Sequence, residues 1–184
     1  MAYFSDLSAY RYVGAPQFNK YQTEAAVGWL DRNHEFDKRR PTEEVLTRIW
    51  AYCKVSIGTT RGLHECDLCE PPKIVHAKKR QERLLLGGAE IRVFSAEGTI
   101  FAAPTLIYHY IHTHSYDPPI QFCRAVMDLT PPPAEEYFEK LKRFGLEWEE
   151  TPEPPLNPKR FKAEKIDGQV RIVEVPYPLY LDES

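Results

Sequence analysis

Two cysteines and a pair of histidines further along the chain restrict the fold more than any other feature of the sequence. Cys66 and Cys69 are separated by two residues, a spacing with which a tight turn presents both thiolates to one cation. His109 and His114 are five residues apart, within the usual spacing of a histidine pair in zinc sites. Thiolate and imidazole ligands suit zinc, and a closed set of four is typical of structural sites. The sequence therefore predicts one zinc ion that ties the cysteine turn to the histidine segment.

Other residues of this region compete for the same role. His64 lies two residues before Cys66 and can replace one histidine, and His112 is a further competitor. The two thiols can instead be buried as small apolar groups, or they can form a redox pair. A redox pair normally begins a helix after a strand, whereas two prolines follow the second cysteine closely here. The residues alone leave the choice of histidines open.

The composition is that of a water-soluble globular protein. Of the 184 residues, 42% are hydrophobic and 28% are charged, a balance that suits one ordinary domain with an appendage. No apolar run reaches the roughly 20 residues that span a bilayer, and the first residues lack the features of a signal peptide. Four cysteines without an export signal are typical of thiols or metal ligands rather than of disulfides. We therefore predict a cytoplasmic protein without a membrane segment.

The charge distribution argues against nucleic acid as a partner. The segment from Pro131 to the end has 12 acidic and 8 basic residues, which leaves 15 acidic and 16 basic residues before it. Binding to phosphates depends on an excess of Lys and Arg, and neither part of the chain has one. Nucleic-acid binding is therefore the weakest of the functions considered.

Hydrophobic spacing in the first two thirds of the chain predicts an α+β fold. Helices are expected at 41–54, from Pro104 onward and from Pro119 onward, because apolar residues recur there at helical spacing. Strands are expected between the first two helices, at 84–86, 90–94 and 99–103. Strands grouped between helices favour a single zinc-stabilised domain with a small antiparallel sheet and three helices.

The last third of the chain is predicted to be an extension of this domain. Nine of the 16 prolines lie at or after Pro131, so we place a boundary there, between a zinc-binding α+β domain at 1–130 and a Pro-rich acidic extension at 131–184. The extension still has structural signals. Helical spacing at 134–144 ends at Gly145, a typical helix cap, and the Asp167–Gly168 pair predicts the turn of a hairpin. We expect a helix followed by a β-hairpin.

Two carboxylates, Glu65 and Glu90, are candidates for a general base if the metal has an open position. Glu90 and Arg92 lie on the same face of a predicted strand, so they can form a buried or semi-buried ion pair beside the metal. The alternatives are a solvated strand face or a structural salt bridge. In a zinc hydrolase, Glu90 or Glu65 would activate a metal-bound water. No HExxH, GxSxG, P-loop or GxGxxG pattern is present, so the usual signatures of such enzymes are missing.

The N-terminal region is dense in aromatic residues, which fill cores and interfaces alike. We expect most of them to pack against the body as an irregular segment and a minority to remain available to a partner. The residues concerned are Tyr3, Phe4, Tyr10, Tyr12, Phe18, Tyr21 and Trp29.

Several segments, taken in order, resemble an uncharacterised bacterial family of small proteins over residues 1–128. The shared segments are 1–8 with Tyr10 and Tyr12, 27–31 with His34, 60–69, 88–93, and 103–110 followed by His114, Tyr116, Pro118 and Pro119. The resemblance implies that His109 and His114, rather than His112, belong to the common pattern. It carries no activity, and residues after 130 lie outside it.

These observations favour a non-enzymatic, zinc-stabilised protein-interaction module of the bacterial cytosol, for example an adaptor or an immunity-type protein. The expected partner is another protein, and the sequence does not specify the oligomeric state. The main alternative is a zinc hydrolase with Glu90 as general base and an open metal position. A nucleic-acid-binding zinc knuckle is the weaker alternative.

Overall fold

A computed structural model gives the structure of the chain and describes residues 2–10, 24–154, 160–166, 169–175 and 181–183. Within these ranges the chain forms four helices and ten strands. The helices are α1 (Glu43–Cys53), α2 (Ile107–His114), α3 (Ile120–Asp128) and α4 (Glu135–Arg143). The strands are β1 (Glu24–Ala26), β2 (Val55–Ile57), β3 (His76–Lys79), β4 (Glu82–Leu85), β5 (Glu90–Phe94), β6 (Ile100–Pro104), β7 (Trp148–Glu150), β8 (Arg160–Ile166), β9 (Gln169–Val175) and β10 (Leu181–Glu183). The fold is α+β, as the sequence predicts.

The largest sheet has five strands in the order β1-β6-β5-β2-β7. Its centre is the antiparallel β5–β6 hairpin, in which Glu90 pairs with Pro104 and Phe94 with Ile100. Strands β2 and β7 add antiparallel pairs on one side. Strand β1 joins β6 in parallel on the other side, so one edge departs from the antiparallel pattern.

Two smaller sheets complete the strand structure. Strands β3 and β4 form an antiparallel pair, and β10 joins β3 in parallel. Strands β8 and β9 form the hairpin that the sequence predicts, with antiparallel pairing from Arg160–Val175 to Ile166–Gln169. The predicted turn residues Asp167 and Gly168 lie outside the described residues.

Helices α1 and α3 contact β5 and each other, and α1 also contacts α2, so the core lies between the helices and the large sheet. Helix α1 begins where the Thr42 side chain accepts a hydrogen bond from the N–H of Val45, and acidic residues in its first turn favour the helix dipole. Its buried face includes Leu46, Ile49 and Trp50. The same core continues into the extension, where Tyr137 and Leu141 of α4 are buried.

A small aromatic cluster anchors the N-terminal segment to the sheet edge. Tyr10 stacks on Trp29 with ring centroids 5.1 Å apart, and Phe4 packs against both rings. The indole N–H of Trp29 donates to the carbonyl of Ala102 at 3.0 Å. The prediction that these aromatic residues pack against the body is confirmed for Phe4, Tyr10 and Trp29. The same prediction for Tyr12, Phe18 and Tyr21 falls outside the described residues.

The helix boundaries match the predictions at most ends. Pro119 is the N-cap of α3, and Gly145 follows α4 with a φ of 65°, the left-handed conformation typical of a cap. Pro104 is the exception, because it ends β6 instead of opening α2. Pairing with Glu90 extends β6 through Pro104, so α2 begins only after its N-cap Leu106.

No helix in the described part of the chain has the length and apolar character that crossing a bilayer requires. Strand β7 of the extension pairs with β2 in the large sheet. The division into 1–130 and 131–184 stays a prediction.

Candidate metal centre

The two cysteines lie on a short loop that backbone hydrogen bonds close at its base. The N–H of Cys66 donates to the carbonyl of Lys73 at 2.7 Å, and the N–H of Lys73 donates back at 3.3 Å. The Arg32 guanidinium also holds the loop, because its Nε and Nη2 donate to the carbonyl of Asp67 at 3.1 and 2.6 Å. Cys69 therefore sits inside a fixed loop, which we call the cysteine knuckle (66–73).

A glycine allows the segment before the knuckle to approach the sheet. The N–H of His64 donates to the carbonyl of Gly87 at 2.9 Å. Gly87 has a φ of +94°, and a Cβ at this position would lie 2.5 Å from the carbonyl oxygen of His64. Only glycine fits this conformation and this distance. The chain just before Cys66 is thus fixed against the connection that leads into β5.

Helix α2 presents both histidines, His109 from its first turn and His114 as its last residue. Residues five apart on a regular helix point about 140° away from each other, so the pair would diverge if the helix continued. The helix ends at His114, and Ser115 adopts the left-handed conformation with a φ of 58°. The N–H of Tyr116 then donates to the carbonyl of Tyr110 at 3.1 Å. At this helix end the ring of His114 lies beside that of His109, with a centroid distance of 5.0 Å.

The predicted four residues come together. The Sγ atom of Cys69 lies 3.3 Å from the Nε2 atoms of both His109 and His114, and the Sγ of Cys66 lies 3.4 Å from Nε2 of His114. All four ligand atoms lie within 4.8 Å of one another. Zinc–sulfur bonds of about 2.3 Å and zinc–nitrogen bonds of about 2.0–2.1 Å place tetrahedral S and N ligands about 3.6 Å apart. The four side chains can therefore hold one metal ion.

The contacts of His109 and Cys69 prepare them as ligands. Nδ1 of His109 lies 3.1 Å from Oγ1 of Thr113, one helical turn further on. This contact directs Nε2 toward the sulfurs. When Nε2 ligates a metal, Nδ1–H can donate a hydrogen bond to the Thr113 oxygen. Burial opposes ionisation of the Cys69 thiol, but the hydrogen bond with His109 and the charge of that imidazole outweigh it and lower the pKa of Cys69. The thiolate is the form that binds metal.

The competing histidines take other positions. Among the described residues, the group of four potential ligands does not include His64 or His112. The backbone N–H of His64 is hydrogen-bonded to the carbonyl of Gly87. The ring of His112 stacks on Tyr108 at a centroid distance of 5.9 Å. The remaining two cysteines lie outside this group, in or against the core. Cys53 is fully buried, which raises the pKa of its thiol to about 12, and Cys123 packs against the core.

Glu90 and Arg92 form a buried ion pair that belongs to a larger network. Nη1 of Arg92 donates to Oε2 of Glu90 at 2.7 Å, and its Nε donates to Oε1 of Glu24 at 3.0 Å. The hydroxyl of Tyr10 donates to Oε1 of Glu90 at 2.6 Å. Of the predicted alternatives for Glu90 and Arg92, the solvated strand face is wrong, because the two side chains form a buried ion pair.

Sequence reasoning missed several residues that support these two sites. Thr113 follows His109 at helical spacing, and this i, i+4 relation is a signal that is readable in the sequence. Arg32, Glu24 and Tyr10 reach their partners over long separations, and no local pattern identifies them.

A cleft of about 650 Å³ opens beside the candidate metal centre. Its walls come from the knuckle, the end of α2 and the segment after β1. The lining residues are Arg32, Phe36, Lys38, Asp67, Leu68, Glu70, Thr113, His114 and Ser115. One of the four potential ligands, His114, therefore borders a space that small molecules can enter.

A known family model matches most of the chain. The family model described as a domain of unknown function, DUF7919, matches residues 2–127. The chain belongs to this family. The DUF7919 domain contains the knuckle, α2 and all four potential ligands, whereas α4 and the β8–β9 hairpin follow it. No curated protein and no solved structure matches the chain.

Proposed function

We propose that this DUF7919 protein is a non-enzymatic protein-interaction module, of adaptor or immunity type, that a single structural zinc ion stabilises in the bacterial cytosol. The observation that carries the proposal is the convergence of Cys66, Cys69, His109 and His114 within 4.8 Å. Two thiolates and two imidazoles in tetrahedral arrangement are typical of zinc, and four protein ligands leave no position for a reacting water. None of the four cysteines, all of which lie among the described residues, forms a disulfide, in keeping with a reducing compartment.

The contacts of Glu90 argue against the hydrolase alternative. A general base must reach the proton of a metal-bound water. Both carboxylate oxygens of Glu90 are instead engaged, one by the Tyr10 hydroxyl and the other by Arg92. Its side chain is buried beside a permanent cation, an environment that suits a structural role.

A protein partner is supported by the exposed hairpin. Val170 and Ile172 lie on the same face of β9, and they are 74% and 75% exposed. Large apolar side chains that alternate along an exposed strand form a surface that a partner can bury. The proposed interaction surface is therefore the face of the β8–β9 hairpin that carries Val170 and Ile172, which pair with Lys165 and Ala163.

Metal content tests the zinc part of the proposal. We expect one equivalent of zinc per chain by mass spectrometry of the native protein, lost in Cys66→Ser and retained in His64→Ala. His64→Ala is the matched control, since His64 precedes the knuckle but lies outside the ligand group. Zinc that leaves with His64→Ala and stays in His114→Ala would favour the open site of a hydrolase.

Substitutions on the hairpin test the partner. Burial of Val or Ile contributes about 1.5–3 kcal/mol, so Val170→Thr with Ile172→Thr should weaken a partner's binding at least about tenfold. The control pair, Gln169→Thr with Arg171→Thr, places the same residue on the opposite face of β9. Binding is measured by quantitative capture from a lysate of the source cells. A partner retained equally by both pairs of variants would contradict the proposed surface.

A further inference from the structure

The four potential ligands differ in their access to solvent. Cys66 and His109 are fully buried and Cys69 is 8% exposed, whereas His114 is only partly buried. His114 is also the last residue of α2, where the helical hydrogen bonds end. Of the four side chains, His114 can therefore move away from a metal with the least disturbance of the core.

His114 borders the cleft described above, so a displaced imidazole and an incoming ligand have space to exchange. The cleft volume of about 650 Å³ lies within the approximately 300–1,000 Å³ typical of small-molecule sites. Asp67 and Leu68 of the knuckle line the same cleft. A small molecule in the cleft would thus meet the metal on its His114 side.

The charges around the cleft indicate the kind of molecule that fits. Arg32 and Lys38 supply two cations, and Asp67 and Glu70 supply two anions. A lining with both signs suits a ligand that carries both a carboxylate and an ammonium group. For direct bonding to zinc, a thiolate is the donor that competes best with an imidazole.

We propose that the cleft admits a small zwitterionic thiol, whose sulfur replaces His114 on the zinc ion. This inference rests on the proposed zinc site. In the exchange, the bond between zinc and Nε2 of His114 breaks and a zinc–sulfur bond forms. The thiol proton passes to the released imidazole, so charge and atoms balance without any oxidant. Release of His114 would free the end of α2, and this would be the response of the domain to such a thiol.

Cobalt spectroscopy of the intact protein tests the exchange. Cobalt(II) replaces zinc, and glutathione, which carries both charges and a thiol, is titrated into the native chain. We expect thiolate-to-cobalt absorption to rise as a third sulfur joins the two of Cys66 and Cys69, with one cobalt still bound after gel filtration. Unchanged absorption, or loss of cobalt from the protein, would overturn the inference.

Variants and a second thiol locate the site. Lys38→Gln should weaken glutathione binding roughly two- to fivefold, as loss of an exposed ion pair does. Arg39→Gln is the matched control, because Arg39 is adjacent in sequence but does not line the cleft and pairs with Asp117. 2-Mercaptoethanol, which has no charged group, should bind more weakly than glutathione and should respond equally to both variants. Equal effects of both variants on glutathione would contradict the cleft as the binding site.

Histidine variants separate failure of this inference from failure of the zinc site. His114→Ala should keep cobalt more weakly, and added imidazole should restore the tetrahedral spectrum by entering through the cleft. Added imidazole should not restore the spectrum of His109→Ala, because the position vacated in that variant is buried. If the native chain takes up no cobalt, the zinc site itself is wrong. If it takes up cobalt but imidazole restores neither variant, only the exchange at His114 is wrong.

Discussion

Removal of the metal by a chelator is expected to lower the thermal unfolding midpoint by at least about 8–16 °C. A ligand present at a thousand times its dissociation constant stabilises the folded state by about 4 kcal/mol. For a chain of this size, each kcal/mol corresponds to about 2–4 °C in the midpoint. Structural zinc commonly binds far more tightly than this reference case, so the expected shift is a lower bound.

The position of the metal site in the chain leads to a similar value for its stabilisation of the folded state. The metal would link Cys69 of the knuckle to His109 of α2, closing a loop that contains β3 to β6. A covalent crosslink around a loop of about 40 residues stabilises a fold by about 4 kcal/mol through the unfolded chain. A metal that binds both ends of this loop reduces the conformational entropy of the unfolded chain in the same way. The metal site would therefore stabilise the fold by linking the cysteine knuckle to α2.

Calorimetry with and without chelator measures this effect, and two serine variants control it. Cys66→Ser should unfold at a low midpoint that the chelator no longer changes. Cys123→Ser removes a thiol on α3 outside the ligand group, so it should keep the full response to the chelator. A native protein that loses its zinc without any change in midpoint would contradict a structural role for the metal.

The candidate site was predictable because its information is local. A pair of cysteines two residues apart and a histidine pair before a break are recognisable from residue type and spacing. The sequence favours His109 and His114 and keeps His64 as an alternative, since His64 lies two residues before Cys66. In the structure, His114 belongs to the described group of four potential ligands and His64 does not.

The fold was less predictable where strands are short. Strands β1, β2 and β7 have three residues each, which is too few for a periodic pattern to appear. Strand β1 also pairs in parallel with β6, a contact between segments far apart in the chain. Long, regular elements were identified correctly, as the 11-residue helix α1 at Glu43–Cys53 illustrates. Where pairing over long sequence separations sets the structure, local propensity carries little information.

The buried network around Arg92 illustrates the same limit and leads to the second large effect. The pairing of Glu90 with Arg92 follows from strand alternation, but Glu24 arrives from β1, which no sequence pattern revealed. Arg92 is 0% exposed and lies between the two carboxylates. Removing one partner of a buried ion pair leaves an unpaired charge and costs about 3–5 kcal/mol. We expect Arg92→Met to destabilise the protein by this amount, measured by urea unfolding.

A matched control and a compensating variant distinguish burial from charge as the cause. Arg39→Met makes the same substitution in an ion pair with Asp117 whose arginine is 80% exposed, so it should cost only about 0–1 kcal/mol. Adding Glu24→Gln and Glu90→Gln to Arg92→Met should recover part of the lost stability, because no uncompensated carboxylate then remains in the core. If Arg92→Met costs no more than Arg39→Met, the network is not buried as described. If the triple variant is less stable than Arg92→Met alone, the cost arises from packing and hydrogen bonding rather than from unpaired charge.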